Sequence, residues 1–253
     1  MKIIINADDL GYDTERDKLA FSLMESGKVT SSTLMPVAPN FENAVQKAKS
    51  LNDISFGVHL TLTEFRLISD NPLFRNIGMT NIDNYVISDI RKMKIHLFFA
   101  IQNAIFNEWK LQIEKTLDHG IKISHLDSHH HIHNTWWIFP VIKKIQKHFN
   151  IRRFRSPTKC YLFKEGIKRP HLRSDFKHFL LRHYYPTKTP DYFTSFEEGF
   201  HYLAKNPQFD IDAIVEMMCH PGNPMYESET RLLMTDWVGD IKKRYKLINY
   251  TEI

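Results

Sequence analysis

The chain reads as an α/β protein built on a TIM-barrel-like (β/α) barrel of seven or eight strands, with room for irregularity. Two observations predict this. Short apolar runs alternate with amphipathic stretches of helical period along most of the 253 residues, which implies a parallel sheet with helices packed outside it. Four polar clusters fall in or just after separate predicted strands. The C-terminal edge of such a sheet is where sites are built.

Taken in order, Ile3 to Asn6 is an isoleucine-rich buried strand, and residues 14–26 are helical, with Gly27 as the cap. Residues 29–35 form the next strand, ended by Pro36. Phe41 to Lys49 is a short helix, and Ile54 to Leu62 a third strand. Residues 64–83 lack periodicity and carry Asn and Pro punctuation, so they read as a loop or insertion. Residues 85–118 look largely helical, and Ile121 to Leu126 is a strand leading into a histidine-rich stretch. A helix over 136–148 and a strand over 151–154 follow. Residues 160–190 are basic, aromatic and without a clear assignment. A helix near 195–205, a strand from Ile211 to Cys219, a helix over 227–243 and a strand near 247–250 complete the pattern.

Composition bounds the class. Hydrophobic residues make up 42% and charged residues 25%, ordinary for a globular chain. With no linker or internal repeat, residues 1–253 read as a single domain. The formal charge is +5, and its small basic groups (Lys143 and Lys144, Arg152 and Arg153, Lys242 to Arg244) are scattered among elements. They read as solvated faces, so no nucleic-acid partner is expected, while a polyanionic substrate stays open. Two cysteines, Cys160 and Cys219, stand far apart in no CxxC pattern, which suits a reducing compartment. The N-terminal apolar run is too short for a signal h-region, and no later run approaches a membrane span. The expectation is a soluble cytoplasmic protein without a membrane partner, with an isologous homodimer as the default assembly.

Five of the 14 histidines fall between His125 and His133, around Asp127. Imidazole is both a metal ligand and a proton carrier near neutral pH. If the strand persists, His125, Asp127 and His129 share one face. If it turns helical, His129 and His133 become an i, i+4 pair. The bland alternative is an exposed His-rich loop. Asp8-Asp9 suits a cation, or a division between ligand and base, since neighbours on an extended chain point in opposite directions. It equally suits the first turn before a helix. His59 alone reads as a hydrogen-bonded core histidine as readily as a ligand. His220, in Cys219-His220-Pro221-Gly222, is held at a strand end, as a general acid or base or as a turn residue. Cys219 closes a buried strand rather than serving as a nucleophile. Arg155 could pair with a site carboxylate, grip a substrate oxygen or lie on the surface. Trp136 and Trp137 could stack on a sugar, with at least one of them in the core.

The ordered set of motifs resembles the YdjC/ChbG family of carbohydrate deacetylases. The set is Asn6-Ala7-Asp8-Asp9-Leu10-Gly11, Gly27 to Met35, Gly57-Val58-His59-Leu60-Thr61-Leu62-Thr63, Ser124 to His133 and Cys219-His220-Pro221-Gly222. Each alone is weak, but together they follow family order and span most of the chain. The resemblance implies a TIM-barrel-like hydrolase that removes the N-acetyl group of an acetylated amino sugar such as a chitooligosaccharide. It implies one divalent metal ion, with Zn²⁺, Mn²⁺ or Co²⁺ suiting mixed carboxylate and imidazole ligands and Mg²⁺ still open. Carried over by position, Asp9, His59 and His129 hold the metal, Asp8 is the general base and His220 the general acid. Arg155 orients Asp8, and His125 and Asp127 fix the tautomers of the ligands. One departure follows Thr63, where the family often has a glycine-bearing segment and this chain has Glu64-Phe65-Arg66-Leu67. Two other readings stand beside this one: a metal phosphoesterase on the same barrel, and a non-enzymatic protein that binds metal or nucleic acid.

Overall fold

The computed structural model describes residues 1–92, 98–156, 172–206, 212–239 and 244–253. Its elements run β1 (Lys2–Leu10), α1 (Thr14–Glu25), β2 (Ser31–Leu34), α2 (Phe41–Ala48), β3 (Ser55–Leu60), α3 (Pro72–Asn76), α4 (Phe98–Asp118), β4 (Leu126–Ser128), α5 (Phe139–Phe149), α6 (Leu172–Tyr184), β5 (Tyr192–Ser195), α7 (Phe196–Lys205), β6 (Ile214–Cys219), α8 (Glu227–Met234) and β7 (Lys246–Leu247). Every strand pairing is parallel, in the order β4-β3-β2-β1-β6-β5, with β7 beside the start of β1. Isolated parallel bridges, Leu126 to Phe154 and Arg153 to Lys188, carry the ladder from β4 toward the chain that enters β5. The sheet is thus curled and barrel-like, and strand-helix alternation was the correct guide to it.

Period-two geometry sorts each strand into two faces. Ile3, Ile5 and Ala7 of β1 join Val215, Met217 and Cys219 of β6 against Phe21, Val45, Phe196 and Leu233 on the helical side. Val58 and Leu60 of β3 and Leu126 of β4 pack with Trp109, Ile113, Ile138 and Ile142 beneath α4 and α5. The other face looks into the curl. There Ile4 packs with Ile248 and Tyr250 at the base. Above them the same parity brings Asn6 and Asp8, Thr33, His59, Asp127 and Glu216 inward, all of them buried. The interior of the curl is therefore polar by strand register.

Several boundaries differ from the sequence reading. The predicted strand over 121–126 is in the ladder only from Leu126 to Ser128. Before it, the chain crosses β3 closely: Ser124 N–H donates to Phe56 O at 2.8 Å and Val58 N–H to His125 O at 3.2 Å. Only glycine fits at position 57, since a Cβ there would lie 2.7 Å from the His125 ring. The predicted strand over 151–154 survives as the two bridges. The expected strand over 247–250 stops at Leu247, and an Asn249 capping box starts a 3-10 turn at Tyr250. The loop over 64–83 contains α3, begun by Asn71 and Pro72. Tyr85 and Val86, expected in a helix, bridge antiparallel to Arg66 and Thr80. The unassigned stretch over 160–190 carries α6, and β5 follows it. Cys160, Ile211 and residues 240–243 lie outside the described residues. Among the described residues, no helix is long and apolar enough to cross a membrane.

Candidate functional site

The end of β1 sets the site. Its pairing with β2 shifts register between Ala7 and Leu10, and Asp9 adopts a left-handed backbone at φ 63°. Such a conformation costs a non-glycine residue about 1–3 kcal/mol and persists where surrounding contacts enforce it. The kink corrects the expectation that the two aspartates point apart. Asp8 and Asp9 both line one cleft of about 620 Å³, together with His59, Glu64, His129 and His220.

Three of these residues converge on a point. Asp9 Oδ1 lies 3.2 Å from His59 Nε2 and 2.9 Å from His129 Nδ1, and the three ligand atoms all lie within 4.8 Å of one another. Despite this proximity, Asp9 Oδ1 has no aligned hydrogen bond among the described residues, although it is buried. Ligand atoms gathered this closely in a buried spot suit a cation between them, and a carboxylate with two imidazoles is a fitting set for a divalent metal. Burial works against ionised Asp9, but His129 and His59 override it and hold its carboxyl well below the usual range.

His59 is oriented from behind. Its Nδ1 meets Asp127 Oδ1 at 2.7 Å, which leaves Nε2 facing Asp9. Burial would pull the His59 imidazole down, yet the Asp127, Asp9 and Asp8 carboxylates push it up to about 10. His129 is likewise raised: burial is outweighed by Asp9 and Glu64. After His129, His130 and His131 both take left-handed φ values of 52°, so the stretch continues neither as a strand nor as a regular helix. His133 does not line the cleft with His129, and its Nδ1 meets Ser128 Oγ at 2.6 Å.

Behind Asp8 lies a fully buried ion network. Arg155 Nη1 and Nη2 donate to Asp8 Oδ2 and Oδ1 at 2.7 and 2.6 Å. The same guanidinium lies 2.9 Å from Asp127 Oδ2 and donates from Nε to Glu216 Oε1 at 2.9 Å. Tyr250 OH donates to the other Glu216 oxygen. Burial would raise Asp8, but Arg155 holds it far below the ordinary carboxylate value. Burial does raise Glu216 in spite of Arg155 and Tyr250.

His220 follows β6. Its backbone N–H donates to Glu229 Oε1 at 2.7 Å, and its ring stacks on Tyr226 with centroids 4.6 Å apart. Gly222 makes the turn possible: it sits at φ 75°, and a Cβ there would meet Arg16 Cα at 3.2 Å. Burial lowers the His220 imidazole, against the pull of Asp8 and Asp9.

Two expected residues lie elsewhere. His125 stacks on Tyr250 at 3.5 Å and bonds Ser124 Oγ at 2.7 Å. Its Nε2 has no hydrogen-bond partner among the described residues, so Asp127 alone of the expected pair reaches a candidate ligand. Trp136 is 70% exposed and lines a smaller pocket with His133, Phe154 and Leu181, while Trp137 is in the core. Sequence reasoning gave no role to Glu64, Tyr12, Glu216 or Glu229. Glu216 left a signal, a lone charge inside the apolar run Ile-Val-Glu-Met-Met-Cys.

A family model described as YdjC-like protein matches residues 2–244. A carbohydrate deacetylase of Brevibacillus brevis is 28% identical over 255 residues, covering 100% of this chain and 93% of that protein. One of Listeria monocytogenes is 30% identical over 263 residues, with 100% and 93% covered. An Enterococcus faecalis V583 crystal structure, assigned to cellobiose-phosphate cleavage, superposes with a TM-score of 0.76 at 22% identity over 99% of this chain and 98% of that one. It shares the fold. The family match over nearly the whole chain, together with these full-length relatives, establishes that the protein belongs to the YdjC-like family.

Proposed function

We propose that this protein is a metal-dependent hydrolase that removes the N-acetyl group of an acetylated amino sugar or chitooligosaccharide. Relatives named carbohydrate deacetylases support the reaction class. The observation that carries the reading is the convergence of Asp9, His59 and His129 beside Asp8 and His220 in one cleft. Its volume, about 620 Å³, is in the range of small-ligand sites.

Asp9, His59 and His129 would hold a divalent ion such as Zn²⁺, Mn²⁺, Co²⁺ or Mg²⁺. Bound there, it supplies Lewis acidity toward an amide carbonyl and toward water. The chain supplies the proton handling. Arg155 keeps Asp8 ionised, so Asp8 is always free to accept a proton from the attacking water. The same pairing makes Asp8 a reluctant holder of that proton, which it gives up as His220 is reprotonated for the next turnover. His220 donates one to the departing amine, which is otherwise a poor leaving group.

The test is acetate release from a panel of N-acetylated sugars, with a phosphoester panel assayed in parallel. Acetate release that a chelator abolishes supports the reading. Phosphate release without acetate release favours a phosphoesterase on the same site.

A further inference from the structure

Glu64 follows β3 in the loop after Thr63, and it meets one candidate ligand, His129, as Asp127 meets another, His59. Its Oε2 lies 2.8 Å from His129 Nε2, and its Oε1 accepts from Tyr12 OH at 2.6 Å. His129 presents its other nitrogen, Nδ1, to Asp9 at 2.9 Å. The arrangement repeats, with the nitrogens exchanged, what Asp127 does for His59. There the carboxylate takes Nδ1 at 2.7 Å and Nε2 faces Asp9 at 3.2 Å. A carboxylate that accepts the second ring N–H of a ligand histidine fixes its tautomer, fixes its ring plane and raises its basicity.

We propose that Glu64 is a positioning residue that holds the Nε2–H tautomer of His129, so that Nδ1 is the atom offered to the cation. This rests on the metal site proposed above. The surroundings keep Glu64 in place from several directions. Phe65, next in the chain, is held at a left-handed φ of 63°. Its ring packs edge-on against Tyr12 at 5.0 Å, and its carbonyl accepts from Val86 N–H at 2.9 Å. On the other side Thr63 Oγ1 meets His130 Nδ1 at 2.9 Å, and Arg91 donates to His130 O at 2.7 Å.

A competing arrangement makes Glu64 itself a ligand, with His129 and His130, since these three also form a close group. The hydrogen bonds favour the positioning role. Both Glu64 oxygens and His130 Nδ1 already have partners, whereas the orphaned buried oxygen belongs to Asp9. Glu64 thus ties the β1 loop, through Tyr12, to the histidine stretch after β4. The loop after β3 thereby supports one candidate metal ligand.

The experiment is Zn²⁺ affinity of the full chain, by competition with a chromophoric chelator, for wild type, Glu64→Ala, Glu64→Gln and His129→Ala. ¹⁵N NMR of the imidazoles in Zn²⁺-loaded wild type accompanies it. Glu64→Ala is expected to weaken Zn²⁺ binding about 10- to 100-fold. Glu64→Gln, whose amide oxygen can still accept from Nε2–H, is expected to recover part of the loss, and His129 to carry its proton on Nε2. The proposal is overturned if Glu64→Ala binds Zn²⁺ like wild type while His129→Ala does not, if Gln restores nothing, or if the His129 proton resides on Nδ1. If His129→Ala binds Zn²⁺ as tightly as wild type, the metal site itself is misassigned. Unfolding midpoints measured on the same samples separate a local effect from loss of fold.

Discussion

Arg155 grips Asp8 with both of its Nη atoms, at 2.7 and 2.6 Å, and no part of its side chain reaches solvent. Charges are rarely buried unless paired, and here one guanidinium serves three carboxylates, those of Asp8, Asp127 and Glu216. Removing one partner from a buried pair costs about 3–5 kcal/mol, because the charges left behind are unpaired. Arg155→Met is therefore expected to lower stability by at least about that much, and Arg155→Lys to lose the two-pronged grip. Denaturant titration checks this, and an Arg155→Met midpoint equal to wild type would refute it.

Cation binding at the proposed site should depend on pH through its two histidines. Carboxylate neighbours push His59 up to about 10 and raise His129, so protons on these rings compete with a cation. Cation binding needs a free ring nitrogen on each and must expel those protons. Affinity should fall as pH is lowered from 8 to 6. Calorimetry in buffers of different ionisation enthalpy should register the protons released. An affinity constant across that range would contradict the protonation states described.

Glu229, which accepts the His220 N–H, is raised by burial from 4.5 to about 7. A carboxyl raised by folding favours the fold most below its unfolded value of 4.5, and that contribution is lost as pH rises through about 7. The difference corresponds to about 3 kcal/mol at most. Glu229→Gln keeps an acceptor for the N–H and has no proton to lose. It should match wild type near pH 4 and exceed it in stability near pH 8. Equal stabilities at both pH values would show that Glu229 is not strained by its charge.

His220 must be protonated to act as an acid, and burial lowers it from the ordinary 6.5. The kcat/KM profile should accordingly lose activity as pH rises through a value below 6.5. That limb should vanish in His220→Ala, leaving a low, flat rate. The same limb persisting in the variant would assign the proton transfer to another group.

What the sequence disclosed follows from which signals are local. Asp9 and His129 followed predicted strands and His59 lay within one, and a parallel sheet gathers such positions at one edge, so a shared site was legible from alternation, while the choice of this trio came from the family resemblance. The left-handed turn at Asp9 was not, because nothing in Asp8-Asp9-Leu10 marks a bulge whose cause is the pairing with β2. The histidine stretch was read as strand or helix, and two left-handed residues, His130 and His131, made it neither. Glu64 and Tyr12 are 52 residues apart, and their contact depends on how two loops meet above the sheet. Glu216 was visible in principle, since a charge in a buried strand requires a partner. That partner, Arg155, comes from a segment joined to the sheet by bridges rather than by a full strand.

Asp9, His59 and His129 are proposed to hold a catalytic cation for N-deacetylation, and the mechanism depends on that site. Its most direct test is acetate released from an N-acetylated chitooligosaccharide by wild type and by His129→Ala, before and after chelation. The prediction is release by wild type, loss on chelation, recovery when a divalent ion is returned, and no release by His129→Ala under any of these conditions. Equal release by His129→Ala and wild type would contradict the account.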